Sequence, residues 1–363
     1  MKYILVFICL LIVEQSAAQV EKRLDSLLKS SVGLNEPGIA LYIENNGRVI
    51  YNKGFGIAED DRPKQLKPKT NFRLASVSKQ FTAMCILLLE QDKKLSIDDP
   101  ISKYFSELPK SISDKISIRQ LITHSSGIID YEEVMDNSIS KPLLDIDVLN
   151  ILSKQEKTYF KPGSEFRYSN SAYALLALIV ERVSSQSFPE FMNERIFKPL
   201  KMKNSMVYEA NAQIPNRSFG FARDKNENIY PNDQSLTSAI QGDGGVYTSL
   251  NEYKKWTYAL WNNTLIDLPT ILKRLNSPIK ELTNSYYGPG WFYFQNANPA
   301  LFHSGSTCGF STYSINIPSQ KISIVYFSNI AGNSEPFKKI LELLKSEGIE
   351  NPADVFTLHQ LTR

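Results

Sequence analysis

Ser76 and Lys79 stand three residues apart in Leu74-Ala75-Ser76-Val77-Ser78-Lys79, just before the apolar run from Ala83 to Leu89. On a helix, residues i and i+3 share a face, so the hydroxyl and the amine would lie one turn apart. The free N–H groups at a helix start would also face any negative charge that builds up there. A weak nucleophile beside a potential base, at the positive end of a dipole, suits acyl transfer. The spelling is not specific by itself. It recurs at Ser26-Leu27-Leu28-Lys29, on a short amphipathic segment, and at Ser138-Ile139-Ser140-Lys141, where Pro142 disfavours a helical Lys141. Of these three, only Ser76 opens a helix apolar enough to be buried.

A serine nucleophile needs a proton acceptor, donors for the oxyanion and groups that hold the substrate. Arg167-Tyr168-Ser169-Asn170-Ser171 follows the break at Pro162-Gly163 and precedes an apolar helix, so Tyr168 and Asn170 can project from a loop. Tyr230-Pro231-Asn232 has the same spelling in a polar stretch with no helix behind it. Phe302-His303-Ser304-Gly305-Ser306 precedes a β-rich run, and a glycine on an edge strand lets a substrate backbone approach. The three histidines, His124, His303 and His359, show no metal-ligand spacing, so no metal and no cofactor are expected. The chain has no Gly-x-Ser-x-Gly elbow, no phosphate-binding loop and no Gly-x-Gly-x-x-Gly, which removes the usual signals of α/β-hydrolases and nucleotide binders.

Ser-x-x-Lys, then Tyr-x-Asn, then His-Ser-Gly, in this order, resembles the serine β-lactamase and penicillin-binding-protein superfamily. The nearest branch holds class C β-lactamases, D-Ala-D-Ala carboxypeptidases, D-aminopeptidases and related esterases. Phe72 to Lys79, Leu121 to Gly127 and Gly244 to Ser249 carry the same likeness. The resemblance implies Ser76 as the acylated nucleophile, Lys79 as its activating partner and Tyr168 as the proton shuttle to the leaving group. It implies that Asn170 binds the acyl-side amide and positions Lys79, and that the backbone N–H groups of Ser76 and Ser306 form the oxyanion hole. His303 stands where a β-lactamase of this branch carries lysine. Substrate carboxylates should then lean on the hydroxyls of Ser304 and Ser306, and bind more tightly as pH falls through about 6.5. No glutamate loop resembles the deacylating base of class A enzymes, so slow acylation by β-lactams is expected rather than efficient hydrolysis. Lysine and tyrosine must each shift by about 3 units, or about 4 kcal/mol, to act as a base near neutrality. The sequence leaves open which one does.

These residues need a frame. Residues 19–32 pattern as an amphipathic helix, and β-rich runs at 38–44 and 48–51 flank Asn45-Asn46-Gly47, a hairpin signal. Helical patterns dominate from about 145 to 205, with Ser171 to Val183 the clearest. A further helix runs from Asn251 to Trp261. Strands return at Trp291 to Phe294, Phe310 to Ile317 and Lys321 to Asn329, and the helix Pro336 to Ser346 closes the pattern. The expected fold is α+β: an antiparallel sheet formed from both chain ends and flanked by helices, with an inserted all-helical subdomain. The sheet part would span about 19–75 and 240–363, and the helical part about 76–239. A cleft between two such bodies is a usual place for an active site. The aromatic run Trp291 to Phe294 reads as sheet core and His124 as a loop-fixing residue.

Met1-Lys2, an apolar Tyr3 to Val13 and Ser16-Ala17-Ala18 read as a secretory leader, residues 1–18, cleaved after about Ala18. Eleven apolar residues are too few to span a bilayer. Cys9 lacks the small neighbours of a lipid-anchor site. The mature protein is therefore expected to be periplasmic or secreted, with no stable membrane span. A net charge of +3 without long like-charge blocks gives no reason to expect nucleic acid. The expected partner is a small-molecule or peptide substrate, with peptidoglycan fragments among the candidates. Cys85 reads as a small buried hydrophobe, and a bridge to Cys308 stays open. The leading expectation is an exported serine hydrolase working through a Ser76 acyl-enzyme on D-amino-acid peptides, β-lactam-like amides or related small substrates. The alternatives are a short-chain esterase on the same fold and a catalytically silent penicillin-binding or sensor domain.

Overall fold

Asn46 and Gly47 take positive φ of 51° and 75°, the pair of left-handed residues that a two-residue hairpin turn demands. They join β1 (Ile39–Asn45) to β2 (Arg48–Phe55). The computed structural model describes residues 18–362 except 34, 60–63, 137, 211, 296–298 and 353–354. All of the expected leader but Ala18 lies outside the described residues. An amphipathic helix over 18–31 buries Val20, Leu24 and Leu28.

The remaining strands are β3 (Phe72–Arg73), β4 (Met206–Val207), β5 (Phe221–Arg223), β6 (Ile229–Pro231), β7 (Val246–Thr248), β8 (Ser277–Pro278), β9 (Ser285–Gly288), β10 (Trp291–Phe294), β11 (Ala300–Thr307), β12 (Phe310–Ile317) and β13 (Ile322–Ser328). The main sheet runs β2-β1-β13-β12-β11-β10-β9-β8. Its neighbours are antiparallel, and Ile39 opposite Ser328 joins the two ends of the chain. The period-two alternation of β12 divides its side chains between two helical layers. Tyr313 stacks on Phe337 of the Glu335–Ser346 helix with ring centroids 4.5 Å apart. Ser314 and Thr312 point the other way, to Tyr253 of the Leu250–Trp261 helix and to the carbonyl of Leu74.

Between β3 and β4 the chain builds the helical body. The Lys79–Gln91 helix is buried from Lys79 to Leu89. The run from Ala83 to Leu89 is apolar on every side, as full burial requires, and Lys79, Gln80 and Thr82 are buried with hydrogen-bond partners. It packs against the Asn170–Ser184 helix, which in turn covers Asp145–Leu152 and Ile118–Ile122. A capping box at Ser117 and Gln120 fixes the start of the last of these.

The α+β expectation describes the molecule, with one correction. The inserted segment is not all helical, because β4 joins β3 on either side of β7, and β5 pairs with β6. Short polar stretches there hold too few apolar residues for a buried helix but enough for ladders of two or three residues. This small sheet matters to the site, since β3 leads directly into Ser76.

Candidate active site

Ser76 lies in a 3₁₀ turn, Ala75–Ser78, and Lys79 is the first residue of the following α-helix. The expected helical pairing is thus moved half out of the helix. Ala75 takes φ of 48°, unusual for a residue with a Cβ, and this backbone kink sets up the turn. From Asn71 to Leu89 every residue is buried except Ser76, which is half-buried and reaches the cleft. The Lys79 Nζ is 3.1 Å from Ser76 Oγ, 2.8 Å from Asn170 Oδ1 and 2.9 Å from the carbonyl of Asp243. Complete burial pushes Lys79 down to about 8, against the pull of Asp243, Asp130 and Glu132.

Tyr168 sits under the same amine, its ring centroid 4.9 Å from Nζ. Its hydroxyl is buried and without a hydrogen-bond partner among the described residues. Burial raises its pKa well above the ordinary range, and the neighbouring Ser76 hydroxyl opposes that rise. Burial therefore moves the two candidate bases apart: Lys79 toward neutrality, Tyr168 away from it. His124, at φ 53°, accepts from the backbone N–H of Ser169 at 3.2 Å and packs its ring 4.2 Å from Tyr168. Burial keeps it neutral and makes it the brace of the Tyr168 loop.

Asn170 begins its helix, and its backbone N–H donates to Asp130 at 2.5 Å. Asp130 also caps the Tyr131–Val134 turn through the Glu132 N–H at 3.1 Å. That turn carries Tyr131 and Glu132 to the cleft. Ser76, Asn170, Arg73, Ala75, Thr237, Asp243, Gly244, Ser306 and Thr307 complete its lining. A larger groove of about 600 Å³, lined by residues such as Leu272, Tyr286, Tyr293 and Leu301, contains none of the residues around Ser76.

The strand motif needs three corrections. His303 is fully buried; its Nε2 meets the Tyr287 hydroxyl at 3.1 Å and its Nδ1 the Ser304 carbonyl at 2.6 Å. Burial and the charge of Lys79 push it down to about 3, so it stays neutral and the expected pH-dependent carboxylate binding loses its basis. Ser304 points to the opposite face, where its hydroxyl meets His359 Nδ1 at 2.8 Å, so it does not reach the cleft. Gly305 is absent from the cleft lining and serves packing instead. A Cβ there would lie 2.3 Å from the Leu74 carbonyl and 3.0 Å from Ala75 Cβ. Only Ser306 of this motif opens on the cleft. Beyond Phe302, β11 has left its pairing with β10, which frees that edge for the Ser76 turn.

Arg73, Glu132, Thr237, Asp243 and Thr307 escaped the reading of the sequence. Arg73 lies in the Phe72-Arg73-Leu74 stretch that carries the resemblance, and Asp243 in a conspicuous Gly-Asp-Gly-Gly turn. Nothing in the local spelling marks Glu132. Cys85 is buried in the helix and Cys308 half-buried at the β11–β12 turn, and both are free thiols. Among the described residues no cluster has the make-up of a metal site.

The model of the Beta-lactamase family matches residues 24–347. Protein flp of Staphylococcus aureus is 27% identical over 347 residues, 90% of this chain and 66% of that protein. The chain thus spans just under two thirds of that relative's length. Penicillin-binding protein 4* of Bacillus subtilis is 30% identical over 329 residues, covering 85% of this chain and 72% of its own. The octameric penicillin-binding protein homologue from Pyrococcus abyssi superposes with a TM-score of 0.78 at 24% identity, covering 93% of this chain and 78% of that one. The fold, the buried lysine beside Ser76 and a match over nearly all the described residues lead to one conclusion: the chain belongs to the beta-lactamase family, whose members are serine hydrolases.

Proposed function

We propose that the protein is a serine hydrolase that forms an acyl-enzyme on Ser76, with D-amino-acid peptides, β-lactam-like amides or related small esters as acyl donors. The observation that carries this reading is the buried Lys79 amine, 3.1 Å from the one accessible hydroxyl of its turn. Near pH 8 a large share of Lys79 is the free amine, and Ser76 Oγ–H can then donate to its lone pair. As Oγ attacks the acyl carbon, its proton passes to Lys79 and the carbonyl becomes an oxyanion. The backbone N–H groups of Ser76 and Ser306 are the proposed donors to it. Collapse breaks the bond to the leaving group, which takes the proton from Lys79 through the Tyr168 hydroxyl. Water then attacks the acyl-Ser76 ester by the reverse proton path and releases the acid. Asn170 acts here chiefly by fixing Lys79 through Oδ1.

Incubation with a fluorescent penicillin or fluorophosphonate should add one probe to the Ser76 peptide, read by mass spectrometry. Folded Ser76→Ala protein that labels as strongly as wild type would end the proposal. Turnover of a D-Ala-D-Ala peptide against a short p-nitrophenyl ester separates the peptidase from the esterase form, and absence of both with acylation retained would favour a sensor. We also propose that the chain is exported, periplasmic or secreted, with cleavage after about Ala18. N-terminal sequencing of the mature protein tests that.

A further inference from the structure

Asp243 touches Lys79 through its backbone, yet its carboxylate has no part in the proton path from Ser76. It lies in the turn Gly242-Asp243-Gly244-Gly245, which the nucleophile segment grips at three points. Thr82 Oγ1 donates to the Gly242 carbonyl at 2.7 Å, Lys79 Nζ to the Asp243 carbonyl at 2.9 Å, and the Val246 N–H to Ser78 Oγ at 3.0 Å. From the other side Asp145 accepts from the N–H groups of Gln241 and Gly242, at 2.8 and 3.1 Å. The backbone of Asp243 is therefore fixed to Lys79 whatever its side chain does.

The carboxylate turns to the opposite wall of the cleft. Its Oδ2 meets the Tyr131 hydroxyl at 3.2 Å, and the same hydroxyl meets Glu132 Oε1 at 3.2 Å. A tyrosine has one proton to donate, and an ionised carboxylate can only accept. With both acids ionised, one of them faces the phenolic oxygen with no hydrogen between. With one acid protonated the chain closes: that acid donates to the Tyr131 oxygen, and Tyr131 donates to the other acid. The three groups are hydrogen-bonded throughout only when they hold two protons. Asp243 is the buried end of this chain and Glu132 the exposed end.

Lys79 depends on charge that it does not touch. Its three ammonium hydrogens face Ser76 Oγ, Asn170 Oδ1 and the Asp243 carbonyl, all neutral acceptors. A buried ammonium with only neutral partners needs a carboxylate nearby to stay charged. Asp243 exerts the strongest such pull, ahead of Asp130 and Glu132. Burial raises Asp243 to about 7, so it changes charge in the same range as Lys79. Glu132, Asp130 and Asp145 add to that rise, and Lys79 and Arg73 oppose it. The buried rings of Tyr131 and Tyr168 stay un-ionised there.

We propose that Asp243 acts through Lys79: its carboxylate is the counter-charge that keeps the amine protonated, and a proton shared with Glu132 across the Tyr131 hydroxyl cancels it. This inference rests on the Ser76 acyl-enzyme reading and adds the control of its base. With Asp243 ionised, Lys79 is held as the ammonium. With Asp243 protonated, Lys79 releases its proton at lower pH.

The test is the pH profile of Ser76 acylation by a fluorescent penicillin, measured as a second-order rate from about pH 5 to 10. Asp243→Asn removes the charge and leaves the carbonyl that binds Lys79. Its rising limb should move down by about 1 unit, with the plateau within several-fold of wild type. Tyr131→Phe takes away the donor that favours the Asp243 anion, so its limb should move the same way. The double variant should move no further than Asp243→Asn alone. A limb that stays in place in folded Asp243→Asn overturns the proposal, as does an equal loss of rate at every pH, which marks a purely structural aspartate. A full extra shift in the double variant overturns the shared proton. If Asp243→Asn does not fold, an unmoved limb in Tyr131→Phe overturns it. Wild-type labelling at Ser76 with an unmoved limb removes this inference alone, whereas no labelling at any pH takes down both.

Discussion

At the scale of the residue, the site is governed by what burial does to two bases. Moving Lys79 from 10.5 to about 8 costs the ammonium form roughly 3 kcal/mol, and that loss is what makes a lysine usable as a base. The sign follows from the form that reacts. The free amine accepts the Ser76 proton, so kcat/KM should rise with pH and level off above about 8, as a pH–rate profile will show. Lys79→Ala should lower kcat/KM about 10²- to 10⁴-fold. His303 makes the opposite point. It is held neutral, with a pKa of about 3, so no protonation of the ring occurs in the working range. His303 should therefore add no step to the pH dependence of KM for a carboxylate donor between about pH 5.5 and 8. Lys79 and Asp243, the latter raised by burial to about 7, change charge in that window instead. A KM–pH step present in the wild type and lost in His303→Gln would show that the ring is reachable after all.

At the scale of the element, the nucleophile is placed by contact rather than by helical periodicity. The turn carrying Ser76 is pressed against β11 at Gly305, while Thr312 of β12 donates to the Leu74 carbonyl at 2.7 Å. Gly290, at φ 84° in the β9–β10 turn, meets the other side of the helix start, where a Cβ would lie 2.5 Å from Gln80 Cα. The nearest opposing atom is backbone at both positions, so neither clash can be relieved by a side-chain rotation alone. Gly305→Ala should displace the Ser76 turn and lower kcat/KM about 100-fold while the circular dichroism spectrum stays native. Wild-type kinetics in that variant would mean that the strand and the turn are not held in register by this contact.

At the scale of the molecule, the sheet separates two tasks. One face holds the active-site turn and the helical body; the other is sealed by helices from both chain ends. The short Val355–Gln360 helix completes that seal, with Phe356 and His359 packed on Tyr313 and His359 bound to Ser304. Removing residues 352–363 should leave the Ser304 hydroxyl without that partner and uncover the Tyr313–Phe337 pair. The expected loss is about 3 kcal/mol, or about 5 °C in calorimetric Tm, with Ser76 acylation by a penicillin retained. Loss of acylation in a folded truncation would show that the two faces are coupled.

The sequence alone determined the parts whose information is local. Asn46-Gly47 can close a tight hairpin because both residues accept positive φ, and the apolar run after Lys79 can only be a buried helix. The order Ser76–Lys79, Tyr168–Asn170, His303–Gly305 gave the family, because three motifs in series are far more specific than one. Tertiary structure decided everything that depends on which way a side chain faces. Within β11 a step of one residue reverses the face, so Ser304 turned out to serve the far layer and Gly305 the packing of the turn. His303 proved neutral because other segments bury it. Arg73, Glu132 and Asp243 belong to the cleft because β3, the loop after Gly127 and the Gly-rich turn converge there, across separations that no local pattern encodes. The charge balance around Ser76 is a property of that convergence, since burial and neighbours set it rather than residue type.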